Sequence, residues 1–352
     1  MTEIAARLAE CGRITRSELK SLLLCNDEKA NALLAEAAVK KTFERFGNRI
    51  YIRGLIEISS FCRNNCLYCG LRASNAKAVR MRLSPEEILS CCRKGYGLGF
   101  RTFVLQGGED PFFSDSIAVP LVRSIRNEFP DCAITLSLGE RSTESYAALF
   151  EAGADRYLLR HESAAPQHYA QLHPKELSYD NRIHCLHTLK KLGYQTGCGF
   201  MVGSPYQTID CILDDLEFIA DFKPEMCGIG PFIPQSNTPF AGFPAGSAAL
   251  TENLLSIIRL MLPDVMLPST TALGSVEADG RLRGILSGAN VLMPNLTPDK
   301  MRESYTLYNN KDDASAKYRD DLEALDKKLR ARGYELAFGV RGDHSGYCRT
   351  NK

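Results

Sequence analysis

Three stretches at the start of the chain place apolar residues at helical spacing with charged residues between them: Ala5–Glu10, Ser17–Leu24 and Asp27–Phe46. They predict a helical cap over residues 1–49. From Arg53 the pattern changes, and short β-rich runs alternate with amphipathic stretches. Strands are predicted at Gly54–Ser59, Thr102–Gln106, Ala133–Leu138, Arg156–Leu159, Gln195–Val202, Met226–Gly230, Val265–Pro268 and Ala289–Met293. Helices such as Pro85–Gly95 and Asp210–Asp221 lie between them, and Ser84, Pro85 and Glu87 read as a capping box that starts the first. Strands that alternate with helices predict a parallel sheet, here an α/β fold closed into a TIM-type (β/α)8 barrel over residues 50–300. Beyond residue 300 the strand signal ends. Lys311–Arg332 is highly charged with leucines at helical spacing, which predicts a C-terminal helical extension, residues 301–352, packed on the barrel.

The 352 residues suit one barrel of ~250 residues with additions at both ends. A net charge of +1 without a long basic run argues against a nucleic-acid partner and for a small molecule. Charges interrupt every apolar stretch of the first twenty residues, unlike a secretory leader, and no run approaches the ~18 apolar residues of a membrane span. The 13 cysteines are odd in number and scattered, which favours a reducing cytoplasm over a disulfide framework. Cys11, Cys25, Cys91, Cys92, Cys132, Cys185, Cys198, Cys211 and Cys227 read as small buried hydrophobes.

Cys62, Cys66 and Cys69 differ, because SSFCRNNCLYCGLR packs them onto one loop directly after the first predicted barrel strand. Three thiolates at this spacing suit three corners of a 4Fe-4S cluster and leave the fourth iron open. Structural zinc and plain buried thiols are the alternatives, although no nearby histidine or fourth cysteine completes a zinc site. Further polar motifs fall at later strand ends, where a barrel of this kind carries its active site. LQGGEDP brings Gln106, Gly107, Gly108 and Glu109, SLGE brings Ser137 and Glu140, and LLRHE brings Arg160, His161 and Glu162. Arg182 follows in YDNRIHCL, and MVGSPYQT, GIGPFIPQSNTP, PSTTALG and GANVLMPN complete the rim.

The spacing Cys-x3-Cys-x-aromatic-Cys, with Tyr68 in the aromatic slot, resembles the signature of the radical S-adenosylmethionine superfamily. The resemblance implies a cluster whose open iron chelates S-adenosylmethionine and whose electron cleaves it to a 5′-deoxyadenosyl radical. It also implies that Gln106-Gly107-Gly108-Glu109 receives the methionine amino group, that Glu162 bonds the ribose hydroxyls beside Ser137, and that Arg182 faces the methionine carboxylate. Tyr68 and Arg160 complete the implied cofactor set. A carboxylate suits a cis-diol and a guanidinium fork suits a carboxylate. An Arg160–Glu162 surface ion pair and a solvated Arg182 are the competing readings.

Across Arg53–Tyr308 the motifs resemble those of HydE-type maturases of FeFe-hydrogenase more than those of biotin synthase or methylornithine synthase. That resemblance implies a small iron substrate bearing carbon monoxide, cyanide and cysteine, an electron donor such as ferredoxin or flavodoxin, and other hydrogenase maturases as partners. Arg156, Met226, Thr270, Thr271, Tyr305 and Tyr308 are the candidate lining for that substrate. Two departures stand out. Tyr206 occupies a position where glycine is expected, and after Cys227 only Cys348 remains, so an accessory C-terminal cluster is not expected. A methylornithine synthase, a biotin synthase and a non-catalytic iron–sulfur scaffold remain as alternatives.

Overall fold

The computed structural model describes residues 1–25, 27–309, 311 and 317–347. Eleven strands occur among them: β1 Arg49–Ile52, β2 Gly54–Ser59, β3 Thr102–Gly107, β4 Ala133–Ser137, β5 Arg156–Leu158, β6 Gln195–Cys198, β7 Met201–Val202, β8 Met226–Cys227, β9 Gly230–Pro231, β10 Val291–Leu292 and β11 Glu335–Ala337. Six run parallel in the order β2-β3-β4-β5-β6-β8. Single bridges continue the ring from Met226 to Met266, from Pro268 to Val291 and from Asn295 back to Leu55. Backbone bonds support the closure, with Leu55 N donating to Pro294 O at 2.8 Å and Leu296 N to Leu55 O at 2.7 Å.

Helices follow the strands and cover the outside. Pro85–Gly97 starts at the expected capping box, in which Ser84 and Glu87 each bond the other's backbone N–H. The outward strand residues, among them Ile56, Ile58, Phe103, Leu105, Ile134, Leu136 and Tyr157, join the helices in one large apolar core. Register partners on neighbouring parallel strands point to the same face. The inward face therefore carries one layer of Leu55, Val104, Thr135, Arg156 and Gln195 and above it a layer of Glu57, Gln106 and Ser137. Such a polar lining suits a ligand chamber better than a packed core.

Several expectations are corrected. Gln195–Val202 is not one strand but two, broken where Gly199 (φ 146°) lets two backbones touch: a Cβ there would lie 2.0 Å from Gly228 O. The expected strand Val265–Pro268 is reduced to isolated bridges. Strand structure does not end at residue 300, since β11 pairs in parallel with β1. Beyond β11 a strap, residues 339–344, crosses the floor of the barrel. Gly339 N donates to Gly99 O (2.8 Å), Thr102 Oγ1 to Arg341 O (2.7 Å), and Asp343 Oδ1 accepts from Arg156 Nη2 and Gln195 Nε2, each at 2.7 Å.

The N-terminal helices Thr2–Cys11, Arg16–Cys25 and Glu28–Phe46 pack against the barrel's outer helices Ile209–Phe222 and Ala248–Met261. Cys11 and Cys25 are exposed at the ends of their helices rather than buried, and Cys211 is half-buried. All described cysteines are free thiols, and Cys348 lies outside the described residues. Among the described residues no helix is long and apolar enough to cross a membrane.

Candidate active site

The cysteine loop leaves β2 and is shaped by its neighbours. Gly108, at the end of β3, has no side chain because none fits: a Cβ would stand 2.3 Å from Phe61 O and 2.7 Å from Cys62 Cβ. Gly70 abuts the segment after residue 304 in the same way, with Thr306 O only 2.0 Å from a hypothetical Cβ. Arg80 clasps the loop by donating Nη1 to Ser60 O (2.6 Å) and Leu71 O (2.8 Å) and Nη2 to Arg72 O (2.7 Å). These carbonyls lie before and after the three cysteines.

Burial pushes all three thiols up, with neighbouring cysteines adding to it at Cys66 and Cys69 and Glu109 at Cys62, and Cys69 reaches about 12. The protein alone thus holds them as neutral thiols, and a metal's positive charge is what stabilises thiolates there. Among the described residues no three His, Cys, Asp or Glu side chains converge on a single ion. A cubane cluster instead spreads its thiolates over separate irons.

Glu162, Arg182 and Tyr68 act electrostatically on Cys66, Cys69 or one another, so the structure brings them to the same spot as the cysteine loop. Glu162 holds a left-handed backbone (φ 65°), is 7% exposed, and its Oε2 has no hydrogen-bond partner among the described residues. Backbone strain at a non-glycine residue together with an orphaned acceptor marks a site awaiting a donor. Arg160 Nη2 stands 3.3 Å from that oxygen without bonding it. The competing ion-pair reading is therefore present as a contact but leaves both partners unsatisfied.

Arg182 is buried rather than solvated, with Nε on Glu140 Oε1 (2.5 Å) and Nη1 on Arg160 O (2.7 Å). Glu109 bonds Arg63 at 3.0 Å and accepts from Glu140 N at 2.9 Å, in space that Gly139 leaves free: a Cβ on that glycine would lie 2.0 Å from Glu109 Cγ. A cavity of about 600 Å³ opens here, lined by Arg63, Gly108, Glu109, Glu140, Arg141 and Asn181 among others. Gln106 and Ser137 are register partners on the inward face.

Tyr68 is held by a residue the sequence reading overlooked. His173 Nδ1 lies 2.9 Å from Tyr169 O and carries its proton there, so Nε2 accepts from the Tyr68 hydroxyl at 3.3 Å. Burial, helped by Arg182, pulls His173 down to about 3 and keeps it neutral.

The candidate substrate residues divide. Thr270 caps the helix Thr271–Val276 in position only, because its hydroxyl makes no cap bond and is buried without a partner among the described residues. Thr271 opens that helix. Arg156 lies lower in the chamber, tied to Asp343 and to Thr102 Oγ1 (3.1 Å), and Met226 accepts from Arg53 Nη1 at 2.9 Å. Tyr305 sits instead beside the cysteine loop, packed with Leu71, Met81, Cys62 and Cys69 and accepting from Gln106 Nε2 at 3.3 Å. Tyr308 follows in the same segment, half-buried. Arg53, Thr135 and Asp343 join this lining although no motif announced them.

The family model of the Radical SAM superfamily matches residues 56–219. The HydE subunit of the FeFe hydrogenase maturase of Thermotoga maritima is 45% identical over 309 residues, 88% of each chain. The 3-methylornithine synthase of Methanosarcina barkeri is 28% identical over 334 residues, covering 94% of this chain and 93% of its own. The crystal structure of a methylornithine synthase superposes with a TM-score of 0.83 at 26% identity, covering 96% of this chain and 98% of that one. Radical SAM enzymes use a 4Fe-4S cluster and S-adenosylmethionine, and the cysteine loop, Glu162 and Arg182 make a fitting set for both. With the relative's identity spread over most of the chain, this protein belongs to the HydE family of FeFe-hydrogenase maturases, within the Radical SAM superfamily.

Proposed function

We propose that this chain directs a 5′-deoxyadenosyl radical at a small anionic iron complex of carbon monoxide, cyanide and cysteine held inside the barrel. When bound, the cluster and S-adenosylmethionine supply the electron transfer and the radical. Cys62, Cys66 and Cys69 hold the cluster. Glu162 and Ser137 take the ribose, Arg182 the methionine carboxylate, Gln106-Gly107-Gly108-Glu109 the amino group, and Tyr68 and Arg160 close the cofactor's other sides. Other hydrogenase maturases supply and receive the iron species.

One observation carries the substrate reading. Thr135 Oγ1, Thr270 Oγ1 and the Nε atoms of Arg53 and Arg156 are buried donors without hydrogen-bond partners among the described residues. Orphaned donors are costly unless a ligand's acceptors meet them.

The test is anaerobic reconstitution with iron and sulfide, followed by dithionite and S-adenosylmethionine with the iron–cysteine complex or with lysine. We expect 5′-deoxyadenosine in both arms, product from the iron complex alone, and no cluster in Cys66→Ser. Thr270→Val should keep cofactor cleavage and lose roughly tenfold or more in product, matching ~1–3 kcal/mol for a lost buried bond. Conversion of lysine to methylornithine would overturn the substrate assignment and leave the radical chemistry standing.

A further inference from the structure

The charge of this chain is distributed unevenly. Residues 60–83 contain Arg63, Arg72, Lys77, Arg80 and Arg82 and no acidic residue, a balance of +5, while the whole chain carries +1, so all other residues together carry 1 − 5 = −4. This basic segment is the one that holds the three cysteines. Part of its charge is neutralised inside the fold, by Glu109 on Arg63 and by Asp110 on Arg82 at 2.7 Å. Arg80 spends its donors on carbonyls, and among the described residues Arg72, Lys77 and Arg80 have no carboxylate partner.

The same face is partly apolar. Val79 is 67% exposed and Phe112 is 40% exposed, with the Arg82 guanidinium 4.5 Å from the Phe112 ring centroid. Large apolar side chains left in water within a cationic rim are the composition of a protein-docking face rather than of an idle surface. The segment is tied directly to the loop beneath it, since Ser60 Oγ meets Val79 O at 3.3 Å and Arg80 bonds Ser60 O and Leu71 O. Arg80 is an electrostatic neighbour of Cys62 and Cys69, whereas Arg182 is one of Cys66. The cysteines are thus neighbours both of Arg80 in this segment and of Glu109, Glu162 and Arg182.

We infer that the face formed by Arg72, Lys77, Val79, Arg82 and Phe112 is the docking surface for a small acidic electron-carrier protein. The inference rests on the radical-enzyme reading. At each encounter the carrier is oxidised by one electron and the cluster on Cys62, Cys66 and Cys69 is reduced by one, with no proton or group transferred. The cations attract the carrier's acidic face, and Val79 and Phe112 give the encounter complex an apolar centre.

The test compares two reductants on the reconstituted full chain. Dithionite needs no docking face, whereas a small acidic bacterial ferredoxin, reduced beforehand, does. In the variant Lys77→Glu/Val79→Asp, both changes are on exposed side chains outside the cofactor site. We expect wild-type iron content and wild-type reduction by dithionite, with the second-order rate from ferredoxin lowered about tenfold at low salt. Lys77→Arg should behave as wild type, and the difference between variant and wild type should shrink as salt screens it. Equal ferredoxin rates for variant and wild type, or a wild-type rate indifferent to salt, would overturn the docking face. A wild-type cluster that dithionite fails to reduce in the presence of S-adenosylmethionine would instead sink the radical-enzyme reading, and the docking proposal with it.

Discussion

Arg182 and Glu140 form a pair that is nearly closed to solvent, with side chains 8% and 9% exposed. Removing one partner of such a pair leaves a buried charge and costs ~3–5 kcal/mol, whereas replacing both with apolar residues is often neutral. Arg182→Ala should therefore lower thermal stability and weaken S-adenosylmethionine binding together. Arg182→Met combined with Glu140→Leu should recover the melting temperature while binding stays weak. Calorimetry and equilibrium binding on the reconstituted proteins separate the two effects. A double variant that binds normally would remove Arg182 from the cofactor site. Tyr206 offers a contrasting residue-level result, since it keeps the left-handed conformation (φ 64°) that glycine would adopt more readily. Its ring meets Phe243 at 5.3 Å between centroids, an aromatic contact that glycine cannot make.

Among the elements, the junction of β2, the cysteine loop and β3 leaves no room for a side chain at Gly108. Gly108→Ala places a methyl where Phe61 O and Cys62 Cβ already stand, both of them on the loop's own backbone or its base. The loop must shift to admit it, so iron incorporation should fall several-fold while the secondary structure, followed by circular dichroism, stays as in the wild type. Full iron content in that variant would show that the loop tolerates the displacement. The cysteines were legible in the sequence because their spacing is local, and the long strands were legible because each alternates or runs apolar over five or six residues. β11 was not legible. Its three residues Glu-Leu-Ala carry no strand pattern and owe their conformation to β1, nearly three hundred residues earlier. The same holds for side chains whose importance comes from distant partners, such as His173, 105 positions from Tyr68, and Asp343, 187 from Arg156. The corrected strand Gln195–Val202 failed for a different reason, because its apolar pattern runs through Gly199 and hides a backbone contact that only the neighbouring strand imposes.

For the whole molecule, the strap at residues 339–344 matters most. Burial alone would raise Asp343, but Arg156, Gln195 and Arg341 outweigh it and hold the carboxyl at about 2. A carboxyl depressed on folding contributes stability that is fully present above its ordinary value of ~3.9 and is lost as pH falls toward the folded value. Acidification from about pH 4 toward pH 2 should therefore loosen the strap progressively. Protection of residues 339–344 from hydrogen exchange, relative to the intrinsic rate at each pH, should fall over that interval in the wild type and be low already at neutral pH in Asp343→Asn. Protection that is independent of both pH and the substitution would show that the strap is held by its backbone bonds alone.

The pairing of β1 with β11 also bears on how the protein is made. A chain emerging from the ribosome presents Arg49–Ile52 well before its partner Glu335–Ala337, which follows nearly three hundred residues later. Until then β1 offers an unpaired edge and the barrel has no floor, the two conditions under which nascent chains associate with one another. The growing chain has to be shielded over that interval, and a chain truncated before Glu335 carries its defect at β1, far in sequence from the missing residues.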